Sequence, residues 1–347
     1  MENQPPLVSV IIYNYNYGKY LRDCFDSVFN QTYPNIEILF SDNASTDDSW
    51  AIALEYSNRY PGKIFLAKNP KNYGAAANYR NCYTNIRGQY FVVLGSDDML
   101  HQDFLSQTIR TLEANLDAGF AMTHRAIINE LGDVVQEAPF YKHSCKIPPP
   151  LHSVVYMMAS VNPSITQVIY RTDCALRTDT AGIGNRFHGA RILDFNIACR
   201  YAVIYIKTPL IYHRIHGEND GKAATENLMD VIGPYVMNFD FSDKALGLGL
   251  SAISEKLPFS IIKNAQLALR YAQNALMDNN AVLSKRYYHL AAALSCEIEQ
   301  DPIYQELTLC WLDNARQAST IQKWLDKHTH IGRVVSYDPP VGSLIFD

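Results

Sequence analysis

Short apolar runs separated by polar turns set the rhythm of the first hundred residues. Val8-Ser9-Val10-Ile11-Ile12 is apolar and β-branched, the pattern of a strand buried in a parallel sheet. After the turn Tyr13 to Gly18, Leu21, Phe25, Val28 and Phe29 recur at helical spacing, and Pro34 follows the helix. Ile36-Glu37-Ile38-Leu39-Phe40 predicts a second strand. It ends in Ser41 to Asp48, a turn whose Ser, Thr and Asp residues can cap a helix starting near Ser49. Ile64 to Ala67 predicts a third strand, and a polar connection from Asn69 to Gly88 leads to a fourth, Tyr90 to Leu94. That strand runs into Gly95-Ser96-Asp97-Asp98. The alternation predicts an α/β fold, Rossmann-like, with a mainly parallel sheet flanked by helices. Ligands of such sheets bind beyond the carboxyl ends of the strands, where both acidic turns fall.

The pattern then changes twice. Residues 120–220 are less regular: Pro148-Pro149-Pro150 breaks the chain, while Gln167 to Tyr170 and Val203 to Ile206 read as further strands. From about 255 the spacing is helical, with Leu283, Tyr287, Leu290 and Leu294 on one face and Leu307, Cys310 and Trp311 on another. Asp301-Pro302 is a cap followed by proline at the first helical position. The expected organisation is an α/β unit over 1–220, a linker over 221–254 and a small α-helical C-terminal domain over 255–347. Gly247 to Ala252 fits a GxGxxA string but follows a polar Ser-Asp-Lys rather than a buried strand, so no dinucleotide site is expected there. Trp311 and Trp324 are expected in core or interface.

Composition narrows the function classes. Of 347 residues, 48% are hydrophobic and 19% charged, which is globular and not disordered. The 30 Lys and Arg stand against 35 Asp and Glu, for a formal charge of −5, so no broad cationic field and no nucleic-acid partner are expected. The seven cysteines are scattered and none forms a CxxC pair, which argues against a disulfide framework or structural zinc and for a reducing compartment. The polar start Met1 to Pro6 is unlike a signal peptide, and no apolar run approaches the roughly 20 residues of a bilayer span. The expectation is a cytoplasmic protein, with peripheral contact to the inner face of a membrane left open.

A lone aspartate at a strand end usually serves a turn. Asp42 closing one strand and Asp97 with Asp98 closing another point instead to a site. Carboxylates so placed can hold a divalent cation carrying a diphosphate, or receive the ring and ribose donors of a nucleoside.

These segments together carry a resemblance. Val8 to Asn16, Gln31-Thr32-Tyr33-Pro34-Asn35, Ser41 to Asp47, Asn72-Tyr73-Gly74, Gly88 to Asp98, Leu193 to Arg200 and Tyr212 to Gly217 resemble, in order and spacing, the family 2 glycosyltransferases. The resemblance spans about 7 to 220. It implies a GT-A fold and inverting transfer of a sugar, foremost from a UDP-sugar, to an acceptor hydroxyl on a saccharide or lipid-linked saccharide. The implied setting is synthesis of a bacterial surface polysaccharide such as O-antigen or capsule. Asp42 then matches the aspartate that receives the nucleobase imide, and Tyr13 and Asn14 lie where the base packs. Asp97 matches the closing aspartate of the DxD motif that holds Mn²⁺ or Mg²⁺, with Ser96 and Asp98 beside it. Asp194, six residues before Arg200, matches the catalytic base, and His216 matches a histidine that in some members helps hold metal or diphosphate. The chain departs from the pattern at Gly95, where the first DxD aspartate would stand, at Leu193, and at Arg80, one place after the usual arginine. His213 and His216 are three apart, so an extended strand would point them to opposite faces. The C-terminal helices are candidates for homo-oligomerisation, acceptor binding or membrane contact. Two alternatives stand beside transfer: a nucleotidyltransferase, though Tyr13 to Tyr20 offers only Gly18 and Lys19 toward a phosphate loop, and an inactive sugar-nucleotide-binding module, prompted by Gly95 and Leu193.

Overall fold

The computed structural model describes residues 4–135, 137–158, 167–178, 189–217, 221–326 and 335–346. It divides into two compact units, one within Met1–Ser153, Pro163–His216 and Gly332–Asp347, the other within Val154–Asn162 and Gly217–Ile331.

The first unit opens with β1 (Val8–Asn14), α1 (Gly18–Phe29), β2 (Ile36–Asp42), α2 (Ser49–Arg59), β3 (Ile64–Lys68), α3 (Ala75–Tyr83) and β4 (Tyr90–Val93). It continues through β5 (Met99–Leu100), α4 (Phe104–Glu113), β6 (Ala118–Ile128), β7 (Val134–Val135), β8 (Cys145–Ile147) and α5 (Ser153–Met158), which runs into the second unit. Then come β9 (Val168–Arg171), α6 (Thr172–Arg177), α7 (Gly189–Ala198) and β10 (Ala202–Arg214). The sheet order is β11-β8-β10-β6-β9-β4-β1-β2-β3, with β11 (Leu344–Ile345) supplied by the end of the chain.

β1 pairs parallel with both β2 and β4, and β2 with β3. β9 runs antiparallel between β4 and β6, so β6 and its parallel partner β10 again point the same way as β4. The carboxyl ends of β1, β2, β4 and β10 therefore share one edge. Two features escape the hydrophobic pattern. The polar connection Asn69–Gly88 contains α3, which opens on Ala75-Ala76-Ala77 after Gly74 at φ 87°, a conformation that suits glycine. The irregular middle contains β6, an 11-residue strand, and β10 extends over 13 residues rather than the four of Val203 to Ile206.

The core of this unit interleaves Val8, Val10 and Ile12 with Leu21, Phe25 and Val28 of α1 and with Tyr90, Val92 and Leu94. The strand residues are alternate positions, one face of the pleat, and the helix residues lie at i, i+4 and i+7, one face of α1.

In the second unit, the 221–254 stretch expected as a linker carries α8 (Gly221–Glu226), α9 (Met229–Gly247) and α10 (Ser251–Ser254). α11 (Leu257–Met277), α12 (Ala281–Leu294), α13 (Pro302–Leu312) and α14 (Asn314–Leu325) follow. Ala265, Ala268 and Ala272 keep one face of α11 thin, and Tyr287 of α12 stacks on Tyr271 at 5.0 Å. Trp324 lies in this core, with Trp311 packed against it. The Gly247–Gly249 string ends α9, and Gly249 takes φ 73°. No described helix is long and apolar enough to cross a membrane.

Candidate active site

The shared strand edge assembles in two halves. Asn14 closes β1, and its Nδ2 donates to Asp42 Oδ1 at 3.1 Å and to Ser45 Oγ at 3.2 Å. Asp42, fully buried at the end of β2, also accepts from Ser45 Oγ at 2.6 Å and, through Oδ2, from Ser45 N at 3.0 Å. Its carboxylate thus folds the turn after β2 as well as standing where the resemblance puts the nucleobase. Asn14 Oδ1 is buried without a partner among the described residues, a spare acceptor beside it. Tyr13 meets Tyr79 of α3 edge-on at 5.7 Å, and Ser96 Oγ donates to the Tyr13 carbonyl at 3.4 Å, tying the two halves together.

An amide ladder supports this half. Asn78 Nδ2 donates to the Asn14 carbonyl, Ser41 Oγ to Asn78 Oδ1, and Asn81 Nδ2 to both Ser41 Oγ and Asn69 Oδ1. Asn43 Oδ1 then accepts from Asn69 Nδ2 at 2.9 Å and Tyr73 N at 3.0 Å, while its Nδ2 donates to Asn72 Oδ1 at 2.7 Å. The loop before α3 is held to the end of β2 by these side chains together with the backbone bond from Asn69 N to the Asp42 carbonyl at 2.8 Å.

The second half is acidic. Asp97 Oδ2 lies 3.1 Å from His216 Nε2, whose ring is almost completely enclosed and packs on Tyr20 at 4.7 Å and Tyr17 at 5.6 Å. Burial, and after it the neighbouring Asp98 charge, raises the Asp97 carboxyl above its ordinary range, whereas His216 works in the other direction. Asp98 is tied into the fold: Oδ1 accepts from Arg214 N at 2.8 Å and lies 3.1 Å from His213 Nδ1. So His213, at the end of β10, and His216, just beyond it, each meet a different aspartate of the β4 turn.

Gly95 explains how the departure from DxD is accommodated. A Cβ there would sit 2.9 Å from Asp97 Oδ1 and 3.0 Å from Asp98 Oδ2, so both carboxylates lean over the space that the glycine leaves. Among the described residues no group of three or more His, Cys, Asp or Glu forms a complete metal cage. Mg²⁺ and Mn²⁺ bound with phosphates need only one or two protein carboxylates, the rest being phosphate oxygen and water. Two hard oxygens converging on one open point, with an imidazole on the far oxygen of Asp97, fit that donor set.

Other expected residues lie apart. Arg80 is exposed on the outer side of α3, opposite the Asn78, Tyr79 and Cys82 face that packs inward. Asp194 of α7 is fully buried, and its Oδ1 accepts from Tyr170 OH at 2.7 Å. Tyr170 stacks on Phe91, its register partner in β4, two residues and about 7 Å before the strand end at Val93. Sequence reasoning missed Tyr17 and Tyr20, which pack on His216, and Arg214, which lies over Tyr20; a charged residue at the end of an apolar strand was the available signal for Arg214.

One carboxyl edge of the sheet thus gathers Asn14 and Asp42 in one half and Asp97, Asp98 and His216 in the other, the place where α/β sheets bind their ligands. Residues 9–166, a little under half of the chain, match the family described as Glycosyl transferase family 2. It is 28% identical over 223 residues to EpsH of Bacillus subtilis (strain 168), described only provisionally as a glycosyltransferase, covering 61% of this chain and 62% of that protein. The match thus spans less than two thirds of that relative's length. Among solved structures, Staphylococcus aureus TarS 1–349 in complex with UDP-GlcNAc superposes with a TM-score of 0.53 at 15% identity, covering 88% of this chain and 91% of TarS. Mannosyltransferase PcManGT from Pyrobaculum calidifontis, in complex with GDP-Man and Mn²⁺, gives 0.51 at 14% identity, covering 92% and 85%. At these identities the likeness establishes the fold, which is GT-A.

Proposed function

We propose that the protein is an inverting glycosyltransferase that moves a sugar from a nucleotide-sugar, foremost a UDP-sugar, to an acceptor hydroxyl in the synthesis of a surface polysaccharide. The observation that carries this is the pair Asp97 and Asp98 leaning over Gly95 beside His216, on the same edge as Asn14 and Asp42. Asn14, Tyr13 and Asp42 form the nucleoside end, and Asp97 with Asp98 the diphosphate end. Mn²⁺ or Mg²⁺ held there supplies Lewis-acid stabilisation of the diphosphate leaving group. His216 orients Asp97 through the 3.1 Å contact.

Asp194 is the base that takes the proton of the acceptor hydroxyl as its oxygen attacks the anomeric carbon from the face opposite the leaving group. Tyr170 OH donates to Oδ1 and orients the carboxylate. A positioned side-chain base contributes about 10²–10⁴ in rate. Asp194→Asn is therefore expected to lose that factor in sugar transfer while UDP affinity stays within about twofold, because a group acting only in the transition state adds little to ground-state binding. The assay is UDP release from a UDP-sugar panel with Mn²⁺ and saccharide acceptors; wild-type turnover in Asp194→Asn removes Asp194 from the role.

The enclosed Asp194 also favours a second reading, an inactive sugar-nucleotide-binding module in which that carboxylate only anchors Tyr170. UDP binding with no turnover of any donor in the same panel selects it.

A further inference from the structure

Arg214 is the most heavily committed charged side chain at the edge, and nothing in the reaction calls on it directly. It is 3% exposed, and its guanidinium reaches three separate segments. Nε donates to the Asp97 carbonyl at 3.0 Å, Nη1 to the Glu130 carbonyl at 3.2 Å, and Nη2 to Asp23 Oδ2 of α1 at 3.1 Å. The guanidinium carbon lies 4.9 Å from the Tyr20 ring centre, and Tyr20 also packs on His216. The backbone of the same residue donates to Asp98 Oδ1. One residue thus touches the β4 turn through its main chain and its side chain, the turn between β6 and β7, and α1.

From this juxtaposition we infer that Arg214 is a positioning residue: it fixes the Asp97 backbone and the aromatic wall around His216, so that the Asp97–His216 pair is preformed for a cation. The inference rests on the proposed cation site. Its physical basis is the guanidinium fork. Five N–H donors in one rigid plane can satisfy diverging acceptors at once, whereas an ammonium is a point charge on a flexible stem. Apart from Asp23, these acceptors are backbone carbonyls, to which the Asn129 carbonyl adds another at 3.5 Å, so charge alone does not account for arginine here. The Asp23 contact is half-exposed and individually weak; the bond to the Asp97 carbonyl is partly buried, and geometry there governs what Asp97 can do.

The test measures Mn²⁺ binding by the full chain in the presence of UDP, from the loss of the free-ion paramagnetic resonance signal, beside thermal melting in EDTA. Supporting contacts behind a metal ligand are typically worth about 10- to 100-fold in affinity, so Arg214→Lys is expected to weaken Mn²⁺ by at least about tenfold while still melting cooperatively. His216→Ala serves as comparator and is expected to weaken it as well. Wild-type Mn²⁺ affinity in Arg214→Lys, with a loss in His216→Ala, overturns the positioning role and leaves the site standing. Wild-type affinity in both overturns the cation site and the inference with it. If Arg214→Lys does not fold, Asp23→Asn and Tyr20→Leu decide: weakened Mn²⁺ in either supports the role, and unchanged binding in both overturns it.

Discussion

Asp97 and His216 are 119 positions apart in the chain and 3.1 Å apart in space, and their meeting depends on which atoms the neighbours occupy. Asp98 Oδ1 accepts from the backbone of β10, while its Oδ2 and the Asp97 Oδ1 lean over Gly95. Another single residue reports on the fold through its charge. His152 is buried against Tyr141, whose OH lies 3.1 Å from Nδ1, and burial lowers its pKa from 6.5 to about 3. The ring stays neutral in the folded protein, while the unfolded chain takes up a proton below pH 6.5. Its contribution is therefore complete above pH 6.5 and is lost as pH falls toward 3, by up to about 1.4 kcal/mol per pH unit. Urea unfolding at pH 7 and pH 5 should show a smaller loss of stability in His152→Gln than in wild type; equal losses would show that this ring does not titrate against folding.

At the scale of elements, strand ends and loops were unequally legible. β1, β2 and β4 followed from apolar runs, because strands buried on both faces leave little choice of residue, and the edge strand β3 was legible from Ile64 to Ala67 although Phe65 faces solvent. Asp42 and Asp97 could be placed from those strands alone. α3 could not, since Asn69 to Gly88 is polar and the helix is secured by the Asn43, Asn69 and Asn81 ladder rather than by a broad apolar face. β6 was hidden likewise, as Thr123, His124 and Arg125 interrupt its apolar run. The ladder predicts its own sensitivity. Asn43→Ala removes one donor and one doubly used acceptor from a buried position and should cost about 1–3 kcal/mol in unfolding free energy. Asn43→Asp keeps the acceptor and loses the donor to Asn72, so it should recover part of that loss. A neutral Asn43→Ala would show that the loop does not lean on the ladder.

Over the whole molecule, the chain leaves the α/β unit after His216, builds a helical unit, and then supplies residues 335–346 to the first unit. No periodicity announces the return: β11 is two residues long and both are exposed, so there is no buried face to read. Its hold is backbone pairing to β8, Phe346 N donating to the Ser144 carbonyl, and Tyr337 exchanging backbone bonds with Phe140 and Lys142. At about 1 kcal/mol net per bond, deleting 335–347 should lower the stability of the α/β unit by about 3 kcal/mol, read as a shift in urea midpoint; an unchanged midpoint would make the return strand an ornament of the sheet edge. In the proposed function, one edge of this sheet binds a nucleoside diphosphate through a cation on Asp97. Calorimetric titration of UDP with Mn²⁺ and then with EDTA, on wild type and Asp97→Asn, tests it most directly. The account predicts binding that needs Mn²⁺ and is at least tenfold weaker in Asp97→Asn; UDP affinity that is the same with Mn²⁺ and EDTA, and in both proteins, would contradict it.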